Sequence, residues 1–181
     1  MSKLYVISGS SGVGKGTVIN KFLEKHSEIR LSVSCTTRAP RDGETEGVNY
    51  FFLKKTDFME CVQNGEFLEW AEFSGNCYGT KKSFVEGCLQ NGEKLILEID
   101  TKGALNVKNI MPEAVLIFIA PPSVEELEAR LRGRHTETEE AIQKRLASIK
   151  SEIENSKHFD YQVVNDTVEN AVQQLETIIC K

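Results

Sequence analysis

The stretch Gly9-Ser10-Ser11-Gly12-Val13-Gly14-Lys15-Gly16-Thr17 constrains this chain more than any other. It follows the apolar, β-leaning run Leu4-Tyr5-Val6-Ile7 and precedes a helix-compatible run from Val18 to Glu24. A glycine-rich loop between a strand and a helix is what a phosphate cradle needs. Its glycines let successive backbone N–H groups turn inward, where the positive end of the following helix also points. Lys15 adds a mobile ammonium for the β- and γ-phosphates of an oligophosphate. An ordinary Gly-rich turn would not need the flanking strand and helix, so the pattern reads as nucleotide binding.

With 181 residues the chain is long enough for one α/β core and a small insertion or two. Its net charge of −5 argues against a general binder of nucleic acid or membrane surface. Phosphate chemistry must then rest on local clusters of Arg and Lys. Cys35, Cys61, Cys77, Cys88 and Cys180 are odd in number and show no C-x-x-C spacing. They read as free thiols of a reducing cytosol. No signal-peptide pattern precedes the first strand, and no apolar run approaches the roughly 18 residues of a membrane helix. The expectation is a cytoplasmic, soluble chain.

Short apolar runs at Leu4–Ser8, Lys94–Ile99, Val115–Ala120 and Tyr161–Val164 alternate with helical stretches, as buried parallel strands do. Helices are expected at Lys15–Lys25, Lys81–Leu89, Lys102–Asn109, Val124–Arg132, Glu137–Glu154 and Val168–Cys180. Ser123-Val124-Glu125-Glu126 and Thr136-Glu137-Thr138-Glu139 both fit a capping box. The segment Ser32–Tyr78 breaks the alternation. It reads as short strands at Leu31–Cys35, Val48–Phe52 and Glu66–Phe73 with a helix near Asp57–Gln63. The polar, Arg-rich stretch Arg130–Arg145 suits a mobile flap.

Several side chains carry chemistry. Arg38 and Arg41 lie three apart around Pro40, and planar guanidiniums bind phosphate oxygens bidentately. A solvated basic turn is the other reading. Tyr50 and Tyr78 sit near Gly47 and Gly79 as neutral phosphate donors or as amphipathic packing. Alternation along Glu66–Phe73 puts Phe67, Glu69, Ala71 and Phe73 on one face, with Leu68, Trp70 and Glu72 on the other. A carboxylate on an apolar face needs a partner, either an arginine or the adjacent N1–H and N2–H of a guanine. Asp100 ends an apolar strand, where open α/β sheets bind ligands. It reads as an acceptor for a guanine amine, part of a magnesium water shell, or a helix cap. Arg130, Arg132, Arg134 and Arg145 lie among enough acids to form a purely solvated surface.

Taken together, these segments resemble the guanylate kinases, nucleoside monophosphate kinases that phosphorylate GMP from ATP. The matching stretches are the phosphate loop, Ser34 to Glu44, Gly47-Val48-Asn49-Tyr50, Glu69, Tyr78-Gly79-Thr80, Ile99-Asp100, Ala120-Pro121-Pro122-Ser123, Arg134-His135-Thr136-Glu137-Thr138 and Val164-Asn165-Asp166. The resemblance implies an α/β fold: a P-loop parallel sheet flanked by helices, an inserted mixed α+β GMP-binding domain and a small helical lid. It divides the chain into a core (1–32, 82–122, 147–181), an insertion (33–81) and a lid (123–146).

By that resemblance Ser34, Glu69, Thr80 and Asp100 read the guanine, Arg38, Arg41, Tyr50 and Tyr78 hold the GMP phosphate, and Glu44 and Gly79 belong to the same GMP site. Residues 9 to 17 hold ATP phosphates, with Asn165 and Asp166 near its adenine. Lys15, Arg38, Arg41, Arg130, Arg134 and Arg145 would surround the transferred phosphoryl. Magnesium would be held mainly by ATP phosphates and water, since Gly16 stands where Ser or Thr is more usual; Thr17 and Asp100 are the candidate protein ligands. ATP and GMP are the implied partners, dGMP a second acceptor, and either a monomer or a weak homodimer fits. A protein-binding module of the same fold would tend to lack an intact loop. A kinase for another small acceptor is opposed by Glu69 and Ser34–Arg41.

Overall fold

A computed structural model of the protein describes residues 3–73, 75–123, 125, 126, 128, 132 and 139–181, without the side chains of residues 141, 144 and 145. Five strands form the first sheet: β1 (Lys3–Gly9), β2 (Ile29–Leu31), β7 (Lys94–Glu98), β8 (Val115–Ala120) and β9 (Tyr161–Val164). Their order is β2-β7-β1-β8-β9, and every neighbouring pair is parallel. Alternation along β1 explains its two-sided burial. Tyr5 and Ile7 join a core with α1 (Lys15–Leu23) and α6 (Val168–Ile179), through Val18, Phe22, Val172 and Leu175. Leu4 and Val6 face the other layer, packing with Val85 and Cys88 of α3 (Lys82–Gln90) and Ala104 and Val107 of α4 (Thr101–Ile110).

The second sheet has β3 (Cys35–Thr36), β4 (Phe51–Phe52), β5 (Phe67–Phe73) and β6 (Asn76–Lys81), in the order β4-β3-β6-β5. Phe58 of α2 (Lys55–Gln63) is fully buried against Cys35 and Cys77 and stacks on Phe67 at 4.4 Å. Leu68 reaches into the core beneath α3 and α4, which ties this sheet to the first. The longest described helix, α5, spans Glu139–Ser156.

Four local expectations change. The strand expected at Leu31–Cys35 is two strands in two sheets, because the Leu31 end pairs with Ile96 while Cys35 pairs with Gly79 and Phe51. The strand expected at Val48–Phe52 shrinks to its last two residues. A turn holds the rest: Thr45 N–H donates to Asn49 Oδ1 at 2.8 Å, and Gly47 takes φ 73°. β6 was not expected at all. Its Gly79 is required by crowding, since a Cβ there would come within 3.0–3.1 Å of Phe67, Phe58 and Trp70. Finally, a bulge between Phe67 and Glu69 breaks the alternation on β5. Phe67 therefore packs with Phe58 in the small core, while Glu69, Ala71 and Phe73 line a cavity.

Candidate active site

The glycine-rich loop leaves the carboxyl end of β1, where ligands bind in open parallel sheets. Gly9 allows the closest approach: a Cβ there would stand 2.5 Å from the Ile119 carbonyl of β8. Gly12 and Gly14 take positive φ values of 82° and 89°, conformations that a side chain would strain. Gly14 is the N-cap of α1, with no side-chain cap and no acid in the first turn. The helix's first N–H groups and Lys15 are thus left to an anion. Asn165, expected near adenine, is buried and donates Nδ2–H to the Val13 carbonyl at 2.7 Å, which braces the loop from beneath. Asp166 is exposed and bonds the Thr167 amide and Asn170 Nδ2 at the start of α6.

One cavity of about 410 Å³ joins this loop to the second sheet. Gly9, Ser11 and Lys15 of the loop line it, together with Ser34, Tyr50, Tyr78 and Gly79 of the inserted segment and the acids Glu69 and Asp100. Glu69 is buried, and its Oε1 accepts from Thr80 Oγ1 at 2.8 Å. Burial pushes its carboxyl up to about 7; the Thr80 hydrogen bond pulls the other way, and the Asp100 charge adds to the rise. Among the described residues the side-chain partner supplied by the chain is therefore a hydroxyl and not an arginine. Asp100 caps α4, accepting the Gly103 N–H at Oδ1 over 2.7 Å, while still lining the cavity. The cap reading holds for this side chain.

Arg38 is mostly enclosed and pairs with Glu44 at 2.8 Å. Its guanidinium lies over the Tyr50 ring, 5.5 Å from the centroid, and Tyr50 meets Tyr78 edge-on at 6.1 Å. Glu44 is engaged by the chain itself: its second oxygen accepts the Arg41 N–H at 2.8 Å. That double hold depresses the Glu44 carboxyl and keeps both arginine positions on one turn. The Arg41 residue itself is exposed.

Of the flap arginines, Arg130 and Arg134 lie outside the described residues, and Arg145 is described only as a backbone position in α5. The capping box at Thr136 lies outside them as well, whereas Ser123 Oγ does accept the Glu126 N–H at 3.1 Å. Arg132 forks between Glu128 and Glu139 on the surface, which matches the solvated reading for that residue.

Sequence reasoning missed several cavity residues. Glu98 ends β7 facing the loop, with Oε1 3.8 Å from a Cβ built on Gly16. An acid inside the apolar run Leu95–Ile99 was a legible signal for it. Ser32 is buried, finds no partner for its hydroxyl among the described residues, and also lines the cavity. Glu152, from the polar helix α5, reaches the loop and accepts the Ser11 N–H at 3.0 Å. No local signal marks it. Cys35 and Cys77 are buried around Phe58, and burial raises the Cys35 thiol to about 11, so it packs as a small apolar group.

Among the described residues no three His, Cys, Asp or Glu side chains gather as a metal site. Thr17 is exposed, and Glu98 and Asp100 line the cavity. Such a donor set suits a cation bound through phosphates and water better than one caged by protein. No helix among the described residues is long and apolar enough to cross a membrane.

The family model for guanylate kinase matches residues 1–181. A guanylate kinase of Synechococcus sp. (strain CC9311) is 54% identical over 171 residues, covering 94% of this chain and 90% of that protein. One from Clostridioides difficile (strain 630) is 47% identical over 176 residues, covering 97% and 86%. The crystal structure of guanylate kinase from Anaplasma phagocytophilum matches with a TM-score of 0.81 at 35% identity, over 99% of this chain and 85% of that one. A phosphate loop and a buried carboxylate facing one cavity are thus found in a chain that belongs to the guanylate kinase family.

Proposed function

We propose that this enzyme transfers the γ-phosphoryl of ATP to GMP, giving ADP and GDP, and accepts dGMP as well. One observation carries the reading: Lys15 and Glu69 line the same cavity. An oligophosphate on the loop and a purine at Glu69 would meet phosphate to phosphate. Ser34, Glu69, Thr80 and Asp100 read the base, and Arg38, Arg41, Tyr50 and Tyr78 hold its phosphate.

Guanine offers N1–H and N2–H side by side, which matches the two oxygens of an ionised Glu69. Adenine offers an unprotonated N1 there, so the contact becomes repulsive. One or two mismatched buried contacts at about 1–3 kcal/mol each give roughly tenfold to ten-thousandfold discrimination. Thr80 fixes which oxygen points where.

Phosphoryl transfer needs positioning and charge neutralisation more than covalent help. A phosphate oxygen of GMP forms the new bond to the γ-phosphorus, and the bond to the β-phosphate oxygen breaks, with its electron pair leaving on ADP. The attacking oxygen is already ionised, so no general base is required. Lys15 and the loop amides hold the donor, and Arg38 and Arg41 hold the acceptor. Arg130, Arg134 and Arg145 of residues 123–146 close over the equatorial oxygens and exclude water. Magnesium bound with ATP supplies further neutralisation of phosphate charge, with Asp100, Glu98 and Thr17 as the available protein donors to its water shell.

The test is a coupled assay of ADP formation with GMP, dGMP, AMP, UMP and ribose phosphates as acceptors. Turnover with GMP and dGMP, and far less with AMP, is expected. Turnover confined to a ribose phosphate would point to a different acceptor, and no turnover with any would point to a binding module.

A further inference from the structure

We infer that Glu152 competes with the donor's phosphates for the phosphate loop and so holds ATP affinity below what the loop alone would give. The inference rests on the reading that residues 9 to 17 bind the oligophosphate. Glu152 Oε2 accepts the Ser11 N–H at 3.0 Å, a contact between residues 141 apart in sequence. Its other oxygen accepts from Ser148 Oγ at 3.2 Å, four residues earlier on α5. Glu152 lines the same cavity as Ser11 and Lys15.

Loop amides recognise anionic oxygen, and a carboxylate is the side-chain group nearest to a phosphate in that respect. The Ser11 amide has one proton. A phosphate oxygen and the Glu152 carboxylate cannot both take it at hydrogen-bond range, and two anions so close repel. Phosphate entry therefore breaks the Ser11–Glu152 bond and moves the carboxylate.

The carboxylate is held in place from behind. Ile149 is fully buried with Leu146 and Ile153, and Asn155 Nδ2 donates to Thr101 Oγ1 of α4 at 3.2 Å. With the helix pinned on both sides of Glu152, the competing charge stays at the loop. Its chemistry is directed at phosphate alone, so any oligophosphate that fits the loop meets the same competitor, whatever base it carries.

Isothermal titration of wild type, Glu152→Gln and Lys15→Ala with ATP and with inorganic tripolyphosphate tests this. Glutamine keeps the shape and an oxygen acceptor but removes the charge, which accounts for about half of such a bond's strength. Glu152→Gln is expected to bind both probes about tenfold more tightly, which corresponds to about 1.4 kcal/mol. Lys15→Ala is expected to bind both more weakly. Unchanged or weaker binding by Glu152→Gln, with Lys15→Ala weakened, overturns the inference and leaves the loop reading intact. Unchanged binding by both variants overturns the loop reading itself. If Glu152→Gln does not fold, Ser148→Ala frees the carboxylate from its brace, and twofold to threefold tighter tripolyphosphate binding is then expected on the same scale.

Discussion

Glu69 Oε1 accepts a hydrogen bond from Thr80 Oγ1 at 2.8 Å, so the buried acid of the second sheet is fixed by a neighbour on the adjacent antiparallel strand. Its carboxyl rises from 4.5 to about 7, mainly through burial. Between those values the folded protein holds a proton that the unfolded chain has released. Stability attributed to this group is therefore full below 4.5 and lost as pH rises through 7. At about 1.4 kcal/mol per unit, the loss is on the order of 3 kcal/mol by pH 8.

Guanine binding needs the ionised form, so ligand affinity runs the other way. The kcat/KM for GMP should rise by up to about tenfold per pH unit below 7 and level off above it. Glu69→Gln should lose that component, lower GMP use tenfold or more, and leave the KM for ATP nearly unchanged. The same variant should melt higher than wild type at pH 8 and gain little at pH 5. Steady-state kinetics and thermal melts across pH check both halves. Unchanged GMP kinetics in the variant would remove Glu69 from the base site.

Gly103 leaves room for that carboxylate. A Cβ there would come within 2.9 Å of Glu69 Oε2. Gly103→Ala should push the acid off its position and raise the KM for GMP on the order of tenfold, with ATP affinity little changed. Because φ at Gly103 is ordinary and the residue is helical, alanine's helix propensity offsets part of any loss in stability. Paired measurement of KM and melting temperature separates the two effects.

Arg38 is locked by Glu44 beside Tyr50 and Tyr78. Arg38→Ala should raise the KM for GMP about tenfold to a hundredfold, and lysine should rescue only part, since it lacks the fork. Glu44→Gln should give a smaller increase by loosening the guanidinium. Equal rescue by lysine would show that charge alone is used.

Lys15 stands at the N-terminus of α1 on the cavity wall. Lys15→Ala should lower kcat on the order of a hundredfold or more, as loss of a preorganised transition-state donor does. Single-turnover measurements distinguish this from slower product release.

The core sheet was legible because its strands are buried on both faces, which leaves runs such as Val115–Ala120 apolar throughout. The loop was legible because its glycines do a backbone task that no other residue can. The second sheet was harder to read. In β6, polar residues and Gly79 hide a strand whose glycine answers to three rings from elsewhere in the chain. On β5 one inserted residue moves Phe67 to the opposite side from Glu69, which period-two reasoning cannot foresee. Glu69, Asp100 and Arg38 stood out as polar groups in tight or apolar settings. Glu152 looked like any solvated helix residue, and only its distance to Ser11 distinguishes it.

The most direct test of a cavity shared by both nucleotides is a crystal structure with GMP and a non-hydrolysable ATP analogue bound together. The expected result has guanine N1 and N2 on the Glu69 carboxylate, the GMP phosphate on Arg38 and Arg41, and the analogue's phosphates on residues 9 to 17. GMP density away from Glu69, or a Glu69–Arg38 pocket filled by the protein's own side chains, would contradict it.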